Sequence, residues 1–394
     1  MKIEKIYIGG WFQRTMLHLT EIYDFLREGT SRLPLDKKKL KHLRDGLNIK
    51  ELKYSVDGFE YIKFLTYDGV GVKIYEDGLI ILDDEDITSN TMVNDVKNLA
   101  KYYDEKFSPA ISYIFSLGAP VPKELANIET VFPYFIVLNN AKIEELDELI
   151  NKTDKEKYFR FSNENFDIVR GDEYYFINNK KKKLENVERY IEEQIFMREF
   201  KGQLHRYLNL HRIIWEKIDE VKEKAKVKGK NIVEFSNKLE GYSKTINLVE
   251  TRINQMNNYL KTREKIAKKD NDLNEFLIVM EYRYETLDDT LAYIKQIWAM
   301  TKNYVNSAMK LFSGIQGKVT QKNISDLTVV TSRGVGASLL NLFTKTELPT
   351  ITLPGLYYFL VLALIGYGAK TVMNFISENR KYNVTDIEYD KNIK

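Results

Sequence analysis

Residues Leu277 to Val319 read LIVMEYRYETLDDTLAYIKQIWAMTKNYVNSAMKLFSGIQGKV, and thirteen of them recur at alternating spacings of three and four. These are Leu277, Met280, Tyr284, Leu287, Leu291, Ile294, Trp298, Thr301, Val305, Ala308, Phe312, Ile315 and Val319. A 3-4 spacing held for about six heptads keeps one stripe facing a partner, whereas a straight lone helix drifts by about 20° per heptad. The first expectation is therefore a self-associating stalk made from copies of the chain. Bundles within one chain use the same geometry, so a stripe packed on the chain's own helices is the alternative. The bulk of Trp298 and Phe312 favours a wide, multi-helix seam.

Working outward, the 394 residues leave room for two or three domains, and 60 Lys+Arg against 57 Asp+Glu give a net charge of only +3. That balance carries no nucleic-acid footprint, so no direct nucleic-acid partner is expected. The absence of cysteine excludes disulfide scaffolds and thiolate metal sites and fits a reducing compartment. Met1-Lys2-Ile3-Glu4-Lys5 reads as neither signal nor transit peptide, since an acid arrives at once and no apolar run follows. The bulk of the chain is expected in the cytoplasm.

All seven prolines lie at Pro34, Pro109, Pro120, Pro122, Pro133, Pro349 and Pro354, which leaves 134 to 348 free for long helices. Residues 1–178 read as a cytosolic α/β layered domain. A strand at Ile6 to Ile8 and a helix at Thr15 to Arg27 precede three Asp-Gly pairs, at Asp57-Gly58, Asp68-Gly69 and Asp77-Gly78. Asp-Gly supplies the positive φ of tight hairpins, so the alternating segments between them read as a four-stranded meander. Helices are expected at Met92 to Phe107, Ile111 to Leu117 and Ile143 to Ile150, with a strand at Tyr134 to Leu138 and a hairpin turned at Arg170-Gly171-Asp172. Residues 179–326 form the helical and stalk region: Leu184 to Lys226, Ile232 to Lys268, a reversal at Lys269 to Asp272, then a rod from Leu273 to about Thr331, roughly 90 Å long.

Residues 327–376 are expected to carry two membrane spans, followed by a cytosolic tail at 377–394. No charge lies between Glu347 and Lys370, and Pro354 is placed as a first-turn residue before an apolar run through Ile365. The preceding segment, Leu327 to Thr344, contains Arg333 and small polar residues, which suits a pore-lining helix shielded by an outer one. Two spans also return Lys370, Arg380 and Lys381 to the cytoplasmic side. The fold class is thus an α+β/α membrane protein: an N-terminal α/β domain, a long helical coiled-coil stalk and two C-terminal transmembrane helices.

This order of parts resembles the CorA superfamily of two-span metal ion channels. Leu204-His205-Arg206-Tyr207-Leu208-Asn209-Leu210-His211-Arg212-Ile213-Ile214-Trp215 is similar in pattern to the basic and apolar helix that follows the α/β domain there. The resemblance implies a homo-oligomer, a pentamer, in contact with membrane lipid, multi-pass in the cell inner membrane, with the stalk and first span lining a pore. Extending the stalk register puts Asp326, Val330, Arg333, Ala337, Leu340 and Thr344 toward that pore. The Gly-Met-Asn signature of magnesium carriers is absent: Asn341-Leu342-Phe343-Thr344-Lys345-Thr346-Glu347 stands in its place. A ring of Arg333 would repel cations. The pattern suits better the branch associated with type III CRISPR antiviral defence, which resembles a membrane effector gated by a nucleotide messenger, the S-adenosylmethionine conjugate of AMP. A magnesium transporter and a membrane-tethered structural coiled coil are the alternatives.

Two places could receive such a messenger. Gly9-Gly10-Trp11-Phe12-Gln13-Arg14 reads as a loop between strand and helix, where backbone N–H groups meet phosphate, Trp11 stacks on adenine and Arg14 pairs with the anion. The polar stripe Arg198, His205, Asn209 and Arg212 shares one helix face. Enzyme chemistry is not expected: His18, His42, His205 and His211 lack metal-ligand spacing, and no P-loop occurs. Asp83-Asp84-Glu85-Asp86 reads as an acidic loop after a strand.

Overall fold

The computed structural model describes residues 3–11, 18–56, 59–85, 87–88, 91–115, 134–153, 156–223, 226–271, 273, 276, 279–280, 283–343, 357, 360–361, 364–368, 371–372, 375–376, 379 and 381–383. They form two compact units, residues 1–208 with 249–295, and residues 209–248 with 296–394. The expected helical region 179–326 is therefore divided, because packing gathers segments that are distant in the chain.

The first unit is built on a nine-stranded sheet of order β2-β3-β4-β5-β1-β6-β9-β8-β7. Its strands are β1 (Ile3–Trp11), β2 (Ile49–Ser55), β3 (Tyr61–Thr66), β4 (Gly71–Tyr75), β5 (Leu79–Glu85), β6 (Tyr134–Asn139), β7 (Lys157–Ser162), β8 (Phe166–Gly171) and β9 (Tyr174–Asn179). The expected meander is β2 to β5, and Gly69 and Gly78 adopt φ of 89° and 92° at two of its turns. Asp57-Gly58 lies outside the described residues. Only the β6–β9 pair is parallel among the sheet's pairings.

Because strand side chains alternate, one register writes two different faces. On the first, Phe64 opposes Val72, Val72 opposes Leu82, and Leu82 opposes Ile8. Ile6, Ile136, Phe176 and Val169 continue that ladder across the other half. These residues share a core with Leu19, Phe25, Leu40, Leu99, Phe107, Ile114 and Leu146. The covering helices are α1 (Leu19–Glu28), α2 (Lys37–Gly46), α3 (Met92–Tyr102), α4 (Ser108–Phe115) and α5 (Ile143–Thr153), with a π-helical turn at Tyr103–Phe107 joining α3 to α4.

The other face receives three long helices, α6 (Leu184–Glu223), α7 (Gly229–Lys269) and α8 (Tyr284–Phe343). Trp11 meets Phe196 and Phe200 of α6 at 5.5 Å between ring centres. Tyr175 shares a 2.6 Å hydroxyl hydrogen bond with Tyr190. Between α7 and α8, Phe276 stacks on Phe166 at 4.4 Å and on Tyr190 at 4.7 Å. The chain does reverse where the acidic break was expected, but α8 starts at Tyr284 rather than Leu273.

The second unit is a three-helix bundle of the far parts of α6, α7 and α8. Ile214, Ile218, Phe235, Leu239 and Ile246 are buried there with Trp298, Val305 and Phe312. Phe235 meets Phe312 at 6.0 Å, and Trp215 stacks on Tyr304 at 4.7 Å. A short antiparallel ribbon pairs β10 (Lys226–Lys228) with β11 (Lys381–Asn383).

These contacts correct the opening expectation. Tyr284, Leu287, Leu291 and Ile294 are buried in the first unit, and Trp298, Thr301, Val305, Ala308 and Phe312 in the second, all within a single chain. A heptad seam specifies that a helix has a partner and not which molecule supplies it, so the alternative of an intramolecular stripe holds for these residues. Leu277 and the side chain of Val319 lie outside the described residues.

The membrane expectations fall largely outside the described residues. Helix α8 runs unbroken for 60 residues, past the expected Thr331. Asp326, Val330, Arg333, Ala337 and Leu340 lie on its backbone, their side chains outside the described residues, and Thr344 lies outside altogether. Much of the second expected span also falls there. Among the described residues no helix is long and apolar enough to cross a membrane. Those of 357–376 that are described include Tyr357, Leu360, Val361, Leu364, Ile365, Val372, Phe375 and Ile376, all exposed.

Candidate functional site

The sheet face that meets α6 carries charge where its opposite face carries aliphatic residues. Odd-numbered positions of β1, β4 and β5 present Lys5, Tyr7, Lys73, Tyr75 and Asp83, and Asp77 stands at the β4–β5 turn. Helix α6 answers with Glu188, Glu192 and Glu193, spaced so that the first two share a face one turn apart.

Lys5 Nζ lies 3.0 Å from Asp83, 2.8 Å from Glu85 and 3.1 Å from Glu188. The Tyr7 hydroxyl donates to Glu188 at 2.8 Å. One turn along α6, Glu192 accepts from Lys73 Nζ at 2.8 Å and from the Tyr75 hydroxyl at 2.5 Å. Beside it, Arg263 of α7 grips Asp77 with Nε and with Nη2, the latter at 3.1 Å, and donates from Nη1 to Glu193 at 2.9 Å. Glu193 also accepts from the hydroxyl of Tyr284, the first residue of α8. Three neighbouring polar clusters thus tie the sheet to α6, and the last of them also to α7 and α8.

Local sequence makes this arrangement possible. At Gly71 an added Cβ would lie 2.6 Å from Asp83 Oδ1, so glycine leaves the room on β4 that the carboxylate paired with Lys5 occupies. The Arg263 guanidinium lies 5.0 Å from the Phe59 ring centre, 5.3 Å from Tyr75 and 4.4 Å from Phe196. Such an aromatic enclosure keeps water out while its ring faces favour the cation.

Burial sets the protonation behaviour. Desolvation pushes the Tyr75 and Tyr284 hydroxyls upward, and the neighbouring Glu192 and Glu193 push the same way, so both remain proton donors. Burial raises the Glu193 carboxyl, against the opposing pull of Arg263. Burial would lower Lys5, but the carboxylates of Asp83, Glu85 and Glu188 outweigh it and Lys5 rises; burial would raise Glu188, but Lys5, the Tyr7 hydroxyl and Lys73 outweigh it and Glu188 falls. Asp84 is pushed up to about 6, first by desolvation and then by Asp95, Asp83 and Glu85.

Against this network lies a cavity of about 420 Å³ within the first unit. Its aromatic wall is Phe59, Tyr61 and Tyr75, its apolar wall Ile266, Ala267 and Leu273, and its polar groups are Lys73, Arg189, Arg263, Glu192, Glu193 and Asp270. The volume falls within the roughly 300–1,000 Å³ of small-molecule sites. Lys73 Nζ rests 4.7 Å from the Tyr61 ring centre and 4.9 Å from Tyr75. Arg189, more than half exposed, pairs with Asp270 at the outer side.

The residues expected from sequence to bind ligand are not gathered here. Strand β1 continues through Gly9, Gly10 and Trp11, so no phosphate-binding loop is present at those residues. At Gly9 a Cβ would meet the Ile80 carbonyl at 2.6 Å and Ile195 of α6 at 3.1 Å, so this glycine serves close packing. Trp11 is buried, its Nε1–H donating to the Asp77 carbonyl at 2.8 Å, and its ring faces α6 rather than an open site. Arg14 lies outside the described residues. His205, Asn209 and Arg212 are exposed on α6, with Arg212 placed 3.8 Å from Glu216. Arg198 lies over the Phe135 ring instead. Asp83, Asp84 and Glu85 belong to β5 rather than to a loop, two of them held by Lys5; Asp86 lies outside the described residues. Among the described residues no three His, Asp or Glu side chains gather as metal ligands. Sequence reasoning passed over Lys73, Arg189, Glu192 and Arg263, because charges on helices and strands ordinarily mark solvated faces.

Two solved structures are similar to this chain. One is the complete CorA magnesium transporter from Methanocaldococcus jannaschii, 14% identical over 64% of this chain and 91% of that one, with a TM-score of 0.24. The other is the soluble domain of CorA from the same organism, 12% identical over 44% of this chain and 85% of that one, with a TM-score of 0.22. No protein-family model matches the sequence, and no curated protein does. Likeness at such scores carries no argument, so the functional reading stands on the chain's own residues.

Proposed function

We propose that the chain forms a homo-oligomeric, CorA-like membrane channel or effector, a pentamer. Its sheet-based unit lies in the cytoplasm, two C-terminal helices cross the cell inner membrane, and a nucleotide messenger of the S-adenosylmethionine–AMP type opens it in type III CRISPR defence. The observation that carries the membrane part is the pairing of β10 with β11. Residues 381–383 return to the turn between α6 and α7, so a hairpin of α8 and the following apolar helix would leave and re-enter the same compartment. The exposed apolar side chains at 357–376 supply the lipid-facing surface that such a hairpin needs.

The gating part is supported by the cavity. Its lining Glu193 bonds Tyr284 at the root of α8, and Arg189 and Asp270 join α6 to the segment leading into that helix. A ligand that binds one arrangement of these helices more tightly shifts the population toward it; a thousand-fold preference is worth about 4 kcal/mol. Since Leu287 to Phe312 are used within the chain, copies would meet through the exposed face of α8 at Ser313, Gly317, Thr320 and Ile324.

Particle symmetry of the detergent-solubilised protein, followed by ion flux from proteoliposomes with candidate messengers, tests both parts. A five-fold ring with messenger-dependent flux is expected. A monomer without lipid association would overturn the membrane reading, and a ring whose flux ignores every messenger would overturn the gating alone.

A further inference from the structure

Beside the cavity the sheet sets like charges against one another. Lys53 of β2 stands directly opposite Lys63 of β3, and Lys63 directly opposite Lys73 of β4. Side chains at directly opposed positions share one face, so the three lysines form a row across about 10 Å of sheet. Like charges so placed destabilise the pairing. At the inner end the repulsion is relieved, since Lys73 bonds Glu192 at 2.8 Å and rests on the Tyr61 and Tyr75 rings. At the outer end Lys53 and Lys63 are exposed, and among the described residues no carboxylate forms an ion pair with either. Asp83, which feels the charge of Lys63, is already held by Lys5 at 3.0 Å. The row also borders the cavity: Ser55 and Tyr61, each two residues from a lysine on the same face of β2 and β3, line it with Lys73. Two residues along a strand span about 6.7 Å, so a group attached to a ring seated on the aromatic wall reaches the lysines.

We propose that Lys53 and Lys63 form a phosphate-binding shelf beside the cavity, with Lys73 closing its inner end. A phosphate monoester carries about 1.5–2 charges on three acceptor oxygens, enough for two ammonium groups, whereas a carboxylate carries one charge. Lysine serves phosphate as a point charge, without the planar fork that suits carboxylates. The ligand's ring then lies on Phe59 and Tyr61 and its phosphate on the shelf, which removes the repulsion within the row. The assignment deepens the reading of the cavity as the messenger site by giving the messenger's phosphate a place. It rests on that reading for the ring and not for the phosphate.

Calorimetric titration of the full chain in detergent at low salt, with AMP, adenosine and inorganic pyrophosphate as probes, tests it. AMP is expected to bind at least ten-fold more tightly than adenosine, and Lys53→Gln/Lys63→Gln to lose that preference and the binding of pyrophosphate. Lys37→Gln/Lys38→Gln, two exposed lysines of α2, removes the same charge elsewhere in the first unit and is expected to keep both. Because the row repels itself, its double variant should melt no lower than the parent, which separates lost binding from lost folding; a lower melting temperature would remove the premise. Adenosine binding as tight as AMP, an AMP preference that survives the row variant, or an equal loss in the α2 variant overturns the proposal, as does a chain that binds none of the probes. Pyrophosphate binding that the row variant abolishes, with neither AMP nor adenosine bound, would keep the phosphate shelf and overturn the messenger reading of the cavity. AMP binding indifferent to the row would do the reverse.

Discussion

Replacing Arg263 by Met removes the cation that Asp77 and Glu193 share while keeping most of its apolar stem. The side chain is 3% exposed, Asp77 is fully buried and Glu193 retains 11%. Removing one member of a buried pair costs about 3–5 kcal/mol, because the remaining charge has neither solvent nor partner. Loss of the ring contacts adds about 0.5–2 kcal/mol, which Met recovers in part. Glu193 keeps the Tyr284 hydroxyl, and Asp77 keeps the Leu79 N–H at 3.1 Å, so the expected total is about 4 kcal/mol at pH 8. In the variant the Glu193 carboxyl, already raised by burial, loses the opposing pull of Arg263 and stays above its unfolded value. Protonation therefore favours the folded variant, and its deficit should shrink to about 2 kcal/mol at pH 5. Hydrogen exchange on the full chain reads this directly, as roughly thousand-fold faster opening at pH 8 in peptides covering the β4–β5 turn and the end of α7. Adding Asp77→Asn and Glu193→Gln should return most of the loss, since hydrogen bonding then no longer requires a counter-ion. A single variant within about 1 kcal/mol of the parent, or a triple variant no better than the single, would refute the reasoning.

Three further expectations follow from other parts of the molecule. Asp84→Asn should stabilise the protein by about 1 kcal/mol at pH 8 after discounting for solvent screening. The stability contributed by protonated Asp84 is present below its unfolded pKa and lost as pH rises through about 6, so melting curves should converge near pH 4. Trp298→Ala empties a 1% exposed position in the second unit and should cost about 3–5 kcal/mol, seen as lost exchange protection around 296–312 with 71–85 unaffected; protection that persists means the seam is not packed within the chain. Leu360→Asp with Leu364→Asp should abolish flotation with liposomes, since each carboxylate near a bilayer centre costs about 2.5–3.5 kcal/mol, and undiminished flotation would remove the second span.

Much of the first unit was legible because its signals are local. Asp68-Gly69 and Asp77-Gly78 announce their turns by the φ they permit, and the alternating residues between them announce the strands. Strand β7, KYFRFS, was missed: it is an exposed edge strand whose residues gain no alternation from a buried face. Helix α2, KKKLKHLRDG, was missed for a related reason, since Leu40 is its one buried residue and a single anchor sets no period. The candidate site was the least legible part. Asp77 looked like a turn residue and Arg263 like one of many helical cations; only the meeting of positions 186 residues apart makes them a buried pair.

By itself, the sequence determined the kinds of elements and their order, because hydrophobic period, turn residues and proline placement act over a few residues at a time. Which surface fills the seam from Tyr284 to Phe312, and which charges lose water together beside α6, depended on contacts between segments far apart in the chain. Those choices belong to the tertiary structure, since burial and ion pairing are properties of a neighbourhood that only the folded chain assembles.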